Sequence, residues 1–206
     1  MPVPVPATLE FWYEFASTYS YLSAMRIEPL ANEAGVRIVW RPFLLGPIFA
    51  AQGWTTSPFN LYPAKGRYMW RDMEREAAEL RLPCRQPKPF PQNSLLAARV
   101  AILGEDEAWG PAFVRAVYLA EFGEGRSIED SGTIGAILDD LGLDAGATLA
   151  AAGTDANKAR LRARGEEARE RGIFGAPSFV ASDGELFWGN DRLEKALAWA
   201  ARPVSL

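Results

Sequence analysis

Strand character sits only at the two ends of this chain of 206 residues. From Thr8 to Phe15 the side chains are those that pack well on a pleated surface: Thr8, Phe11, Trp12, Tyr13 and Phe15. Val36, Ile38 and Trp40 then alternate as a second strand. Between the two, Ser17 and Thr18 offer capping hydroxyls to a helix carrying Tyr19, Leu22, Ala24, Met25 and Ile27. Pro29 should kink or split that helix, and Gly35 should end it. Strand, helix and strand over so short a span predict a βαβ unit with parallel pairing.

From about residue 44 to residue 172 the strand pattern is missing. Pro42, Pro47, Gly53, Pro58 and Pro63 read as a loop, after which Tyr68, Met69, Met73, Ala77 and Leu80 recur at helical spacing. A second break at Pro83, Pro87, Pro89 and Pro91 precedes Asn93 and the helical run LLAARVAIL. Further helices are expected at Ala112 to Phe122, Ile134 to Leu141 and Asp155 to Arg171. Strands return at Ser178 to Ala181 and Glu185 to Trp188, joined by an Asp183-Gly184 turn. Asp191 and Glu194 have capping-box spacing ahead of Leu193, Ala196, Leu197 and Trp199. The order βαβ, helical block, ββα predicts an α/β fold interrupted by an all-helical insertion.

Chemistry is bounded by what is absent. The chain has no histidine and one cysteine, Cys84. That excludes a Ser-His-Asp triad, a Cys-His pair, a His-ligated metal and an internal disulfide, so no metal site is expected. Acid–base work falls to Asp, Glu, Lys, Tyr or a group on a ligand. A net charge of −4 provides no basic field for nucleic acid. No apolar run approaches the ~20 residues of a membrane span. The opening MPVPVPATLE lacks a basic n-region, and the expected compartment is the cytoplasm.

Four short stretches are candidates. Ser17 lies where strand passes to helix, a position whose free N–H groups favour an anion or a thiolate. It reads either as a helix cap or as a donor to a ligand's sulfur. Pro177, in Gly175-Ala176-Pro177-Ser178, starts a strand. A cis bond there would free the backbone of Ala176 for an extended peptide-like ligand; the alternative is a trans proline on an edge strand. Lys65 stands at a helix start, where a cation opposes the helix dipole. It reads as a carboxylate ligand or as a solvated surface lysine. Asn190 and Asp191 open the last helix, with Asp191 a cap or a partner for a ligand's amino group.

Together and in this order, FWYEFASTYSYL, RPFLLGPIF, PAKGRYMWRDMERE, GIFGAPSFV and FWGNDRLE resemble the 2-hydroxychromene-2-carboxylate isomerases and the kappa-class glutathione transferases of the DsbA-like thioredoxin superfamily. The resemblance runs from residue 11 to about 194 and implies a thioredoxin-like fold. The thioredoxin-like domain would comprise residues 1–45 and 172–206, and a helical insertion domain residues 46–171. It also implies glutathione as cofactor, a small aromatic or electrophilic substrate and a homodimer. Ser17 matches the serine that contacts the glutathione sulfur, and Lys65 the lysine that contacts its carboxylate end. Ala176, before a cis Pro177, matches the residue whose backbone pairs with the cysteinyl part. Asn190 and Asp191 match the pair that holds the γ-glutamyl end.

The redox relatives carry Cys-x-x-Cys where this chain reads Ser17-Thr18-Tyr19-Ser20, so dithiol chemistry is excluded. Two further departures stand out. Thr18 replaces a common proline, and Thr55, in Gly53-Trp54-Thr55-Thr56, occupies the place of a family asparagine, with Thr56 its alternative. The implied activity is isomerisation: a glutathione thiolate held by Ser17 adds reversibly to an aromatic or conjugated substrate, which rotates before glutathione leaves. Conjugation of electrophiles is the second reading, and a non-catalytic thiol- or peptide-binding module the third. Trp12, Trp40, Phe43, Trp54 and Tyr68 are candidates for an aromatic substrate pocket or for the core.

Overall fold

A computed structural model describes residues 7–202. The readings for residues 1–6 and 203–206, including the outer ends of the thioredoxin-like segments, lie outside the described residues.

Strand β1 (Ala7–Tyr13) leads into α1 (Thr18–Ala34) and then β2 (Val36–Pro42). The two strands pair in parallel, from Ala7 against Val36 to Tyr13 against Pro42. Helix α1 ends on Gly35 at φ 67°, a left-handed conformation that costs glycine little. The expected break at Pro29 does not occur: α1 runs through it unbroken. Pro29 lies on the exposed side of the helix, where water can serve the carbonyl that loses its donor. On the opposite side Leu22, Ala24, Ile27 and Ala31 are buried and hold the helix in place.

The proline-rich stretch after β2 is not one loop. It forms α2 (Leu45–Ala51) and α3 (Pro58–Leu61) before α4 (Pro63–Glu79). Pro47, Pro58 and Pro63 fall in first turns, where a missing N–H breaks no helical bond. Helices α5 (Leu95–Leu103), α6 (Gly110–Tyr118), α7 (Ser131–Asp140), α8 (Ala145–Ala152) and α9 (Asp155–Glu170) follow. Helix α6 runs directly into a π-helical turn, Leu119–Gly123.

The chain then returns as β3 (Ser178–Ala181), β4 (Leu186–Trp188), a 3-10 turn (Asn190–Arg192) and α10 (Leu193–Ala200). The capping box expected of Asp191 and Glu194 is not formed. The 3-10 turn displaces the start of α10 to Leu193, and no side chain caps it. Asp191 pairs with Arg192 at 3.1 Å, and Glu194 with Arg26.

The sheet has the order β2-β1-β3-β4. β3 runs antiparallel to β1, from Leu9 against Ala181 to Trp12 against Ser178, and β4 antiparallel to β3. Strand periodicity sends alternate β1 side chains to opposite faces. Leu9, Phe11 and Tyr13 enter a large core with α1, α4 to α7 and α10. Trp12 enters a second core with Phe43, Ile48, Ala168 and Val180. Phe11 stacks on Phe179 at 5.5 Å and meets the edge of Trp40 at 5.2 Å. Such pairs add about 0.5–1.5 kcal/mol each beyond their burial. A sheet covered on both faces gives the end of β1, where Ser17 follows, a rigid base.

Candidate functional site

The hydroxyl of Ser17 makes two contacts. As the N-cap of α1 it accepts from the N–H of Ser20 at 3.2 Å. It donates to the carbonyl of Ala176 at 2.9 Å, across 159 residues of sequence. The Ala176-Pro177 bond is cis. The end of β1 and the start of β3, adjacent in the sheet, therefore bring two of the candidate groups together. Pro177 is fixed from the other side by Gly189, whose N–H donates to its carbonyl at 3.0 Å. Among the described residues the N–H of Ala176 has no backbone partner.

Beneath Ser17 lies a carboxylate that the sequence reading passed over. Glu14 is buried; it accepts from Leu45 N–H at 2.8 Å and from Ala16 N–H at 3.4 Å, and it bonds the Ser94 hydroxyl. The orphan N–H of Leu45 opens α2, whose own N-cap, Leu44, has no polar side chain. Burial raises the Glu14 carboxyl above its ordinary value, and the bonds from Ser94 and the backbone partly offset that. Its backbone carbonyl accepts from Ser17 N–H at 3.0 Å and from the Tyr118 hydroxyl at 2.9 Å. One residue thus ties the Ser17 turn to α2, α5 and α6. The available signal was an acidic residue directly after the aromatic run Phe11-Trp12-Tyr13.

Asn190 is buried and engaged. Its Oδ1 accepts from Ser23 at 2.9 Å and from Arg26, which also reaches its carbonyl at 2.8 Å. Asp191 beside it is exposed and meets Arg192 only. Lys65 is exposed in the first turn of α4, with its ammonium 5.5 Å from the centre of the Tyr62 ring. It continues the buried line of Met69, Met73 and Ala77 one turn beyond the core. Tyr19, two residues after Ser17, donates to Asp72 of α4 at 2.9 Å, which fixes α4 against the start of α1. Among the described residues no carboxylate pairs with Lys65. Thr55 is exposed; the Thr56 hydroxyl is engaged by Asn60 at 3.2 Å. No hydrogen bond joins Lys65 or Thr55 to Ser17 or Ala176 among the described residues.

Three of the five aromatic candidates are core. Trp12, Trp40 and Phe43 are buried, Trp12 against Phe43 at 6.0 Å and Trp40 against Tyr13 at 5.8 Å. Their place in and beside the sheet leaves no face for a ligand. Trp54 packs on Phe49 at 5.5 Å, and Tyr68 is exposed on α4.

A second buried carboxyl, Glu121, lies in the π-helical turn. It is fully buried, and neither oxygen has a hydrogen-bond partner among the described residues. Burial, with Glu14 and Glu129 adding, holds it well above the ordinary carboxylate range. Among the described residues no group of three metal-ligating side chains is found, and no helix is long and apolar enough to cross a membrane.

The geometry can be set beside known proteins. The DSBA-like thioredoxin domain family matches residues 8–198. A 2-hydroxychromene-2-carboxylate isomerase of Sphingobium xenophagum is 33% identical over 91% of this chain and 94% of its own. The human glutathione S-transferase kappa 1 is 28% identical over 93% of this chain and 89% of its own. A solved 2-hydroxychromene-2-carboxylate isomerase superposes with a TM-score of 0.85 at 28% identity, covering 95% of this chain and 96% of that one.

Proposed function

This chain belongs to the 2-hydroxychromene-2-carboxylate isomerase family of DSBA-like thioredoxin domains, and we propose that it is a glutathione-dependent isomerase whose thiol site is built on Ser17. The observation that carries the reading is the 2.9 Å bond between Ser17 and the carbonyl of Ala176. It puts a hydroxyl at the start of a 17-residue helix beside the backbone that precedes Pro177. The donor set suits a peptide with one thiol, one ammonium and two carboxylates. Among the described residues Ser17 offers a hydroxyl, Ala176 an N–H with no backbone partner, Lys65 a cation with no carboxylate beside it and Asp191 an exposed carboxylate.

Glutathione, when bound, supplies a thiolate able to add to an electron-poor carbon and to leave again. The chain's own residues prepare that group. The Ser17 hydroxyl turns from Ala176 and donates to the sulfur, while the α1 N-terminus favours its negative charge. The N–H and C=O of Ala176 pair with the cysteinyl backbone. Lys65, with Thr55 near it in sequence, receives a carboxylate; Asn190 and Asp191 receive the γ-glutamyl end. Asn190 does so as a fixed point, since Ser23 and Arg26 already hold it. Without histidine, Ser17 lacks the usual base of a serine nucleophile.

The helical block, residues 46–171, is read as an insertion into the thioredoxin-like segments, and the protein as a cytoplasmic homodimer, by the same resemblance. Conjugation of electrophiles is the second reading, favoured by the similarity to the kappa transferase. Calorimetry with glutathione, followed by incubation with 2-hydroxychromene-2-carboxylate, tests both. Conversion at constant glutathione supports isomerisation, and stoichiometric consumption supports transfer. A folded sample that binds no glutathione refutes the proposal.

A further inference from the structure

Among the described residues five large apolar side chains are exposed: Leu61, Tyr62, Tyr68, Phe174 and Trp188. Tyr62 and Tyr68 each have a cation over the ring, Lys65 and Arg75. Among the described residues no cation lies over Phe174 or Trp188, whose rings pack on each other. They are 46% and 53% exposed, with ring centres 4.9 Å apart and planes at 58°. Phe174 lies two residues before Ala176, and Trp188 closes β4, in register with Ser178.

The pair is held beside the Ser17 site. The Trp188 indole lies so close over Gly175 that a Cβ there would overlap its nitrogen and come within 3.0 Å of Cε2 and 3.2 Å of Cδ1. Gly175 is itself fixed, because its carbonyl accepts from the Ser178 hydroxyl at 2.8 Å. Its neighbour Ala176 accepts from Ser17. The electron-rich indole and the phenyl ring, packed on each other, each keep part of their surface exposed, and the indole lies over Gly175, the residue before Ala176. A flat electron-poor ring stacks favourably on such faces.

Resting on the reading above, we propose that Phe174 and Trp188 form the subsite that receives a planar, electron-poor aromatic substrate. The test compares Trp188→Ala and Trp188→Phe with the wild type in the presence of glutathione. One electrophile is 1-chloro-2,4-dinitrobenzene and the other is iodomethane, which has no ring to stack. The ratio of their kcat/KM values should fall about two- to tenfold in Trp188→Ala and recover largely in Trp188→Phe.

Quenching by unreactive 1,3-dinitrobenzene gives a second readout that needs no turnover. One of the seven tryptophans would report binding, so the saturable quench should disappear in Trp188→Phe. An unchanged ratio, or a saturable quench that survives in Trp188→Phe, overturns the proposal. A change of oligomeric state in Trp188→Ala also overturns it, because the pair would then be covered by a second copy. If glutathione does not bind, the functional reading fails, while the quenching still decides this one.

Discussion

Replacing Ser17 with alanine should separate what the hydroxyl does for the fold from what it does for a ligand. The structure assigns it two contacts at rest. Loss of an N-cap serine costs about 1 kcal/mol. Loss of the bond to Ala176 costs about 1 kcal/mol more, since that carbonyl is partly exposed and water can replace the hydroxyl. The sum, about 2 kcal/mol, should lower the melting temperature by about 4–8 °C in a chain of this size. The same substitution removes a donor from the proposed thiolate, a charge-assisted bond of about 1.5–3 kcal/mol, or roughly ten- to a hundredfold in kcat/KM. Thermal unfolding reads the first quantity. The thiolate absorbance near 240 nm of protein-bound glutathione reads the second. Ser17→Thr, which keeps a capping hydroxyl, should recover most of both. A Ser17→Ala protein that melts within a degree of wild type refutes the resting hydrogen bonds. One that melts lower yet forms the bound thiolate as readily refutes the role toward sulfur.

Three other outcomes are expected. Burial raises the Glu121 carboxyl well above its ordinary value of about 4.5, so the folded state holds its proton more tightly than the unfolded state does. Its contribution is greatest below pH 4.5 and declines as pH rises toward the folded-state value; Glu121→Gln should therefore stabilise more at pH 8 than at pH 5 in urea titrations. A fixed difference at all pH values would contradict the upward shift of the buried Glu121 carboxyl. The Glu105 side chain, 5% exposed, faces Arg41 at 3.0 Å and also Arg164. Glu105→Gln should cost about 2–4 kcal/mol in urea unfolding, below the full value for a buried pair because Arg41 is 24% exposed; a change under 1 kcal/mol would mean the network is solvated. Burial, then Glu74, raises the Cys84 thiol, so at pH 7 it should react with aromatic disulfide reagents more slowly than a free cysteine. A reaction faster than free cysteine would show the site to be more open than described.

The parts of this fold that the sequence made legible are those with a strong period or a special residue. Strand β1 announces itself by its aromatic and β-branched side chains, and the end of α1 by Gly35. Helices α2 and α3 were hidden because proline reads as a breaker unless its place in the first turn is known. Helix α8, AGATLAAA, has too little contrast between its faces to show a period. The π-helical turn is one extra residue in a helical ladder, with no composition of its own. At the site, Ser17 and Pro177 were readable as a turn hydroxyl and a strand-opening proline. Their contact was not, because 159 residues separate Ser17 from Ala176. Glu14 and Arg26 were missed because they act on backbone groups and on Asn190, partners that only the tertiary structure supplies.

That separation has a consequence for biosynthesis. β1 lies between β2 and β3, yet β2 is synthesised almost at once and β3 near the end. At about 5–20 residues per second, roughly 8–30 s pass between the emergence of Ser17 and that of Ala176. Throughout that interval β1 has one bare edge carrying Leu9, Phe11 and Trp12, the kind of edge that pairs with other chains. The nascent protein is thus most prone to aggregate just before β3 arrives. Ribosome-bound chains stopped short of residue 178 should engage chaperones more strongly than chains extended past β4.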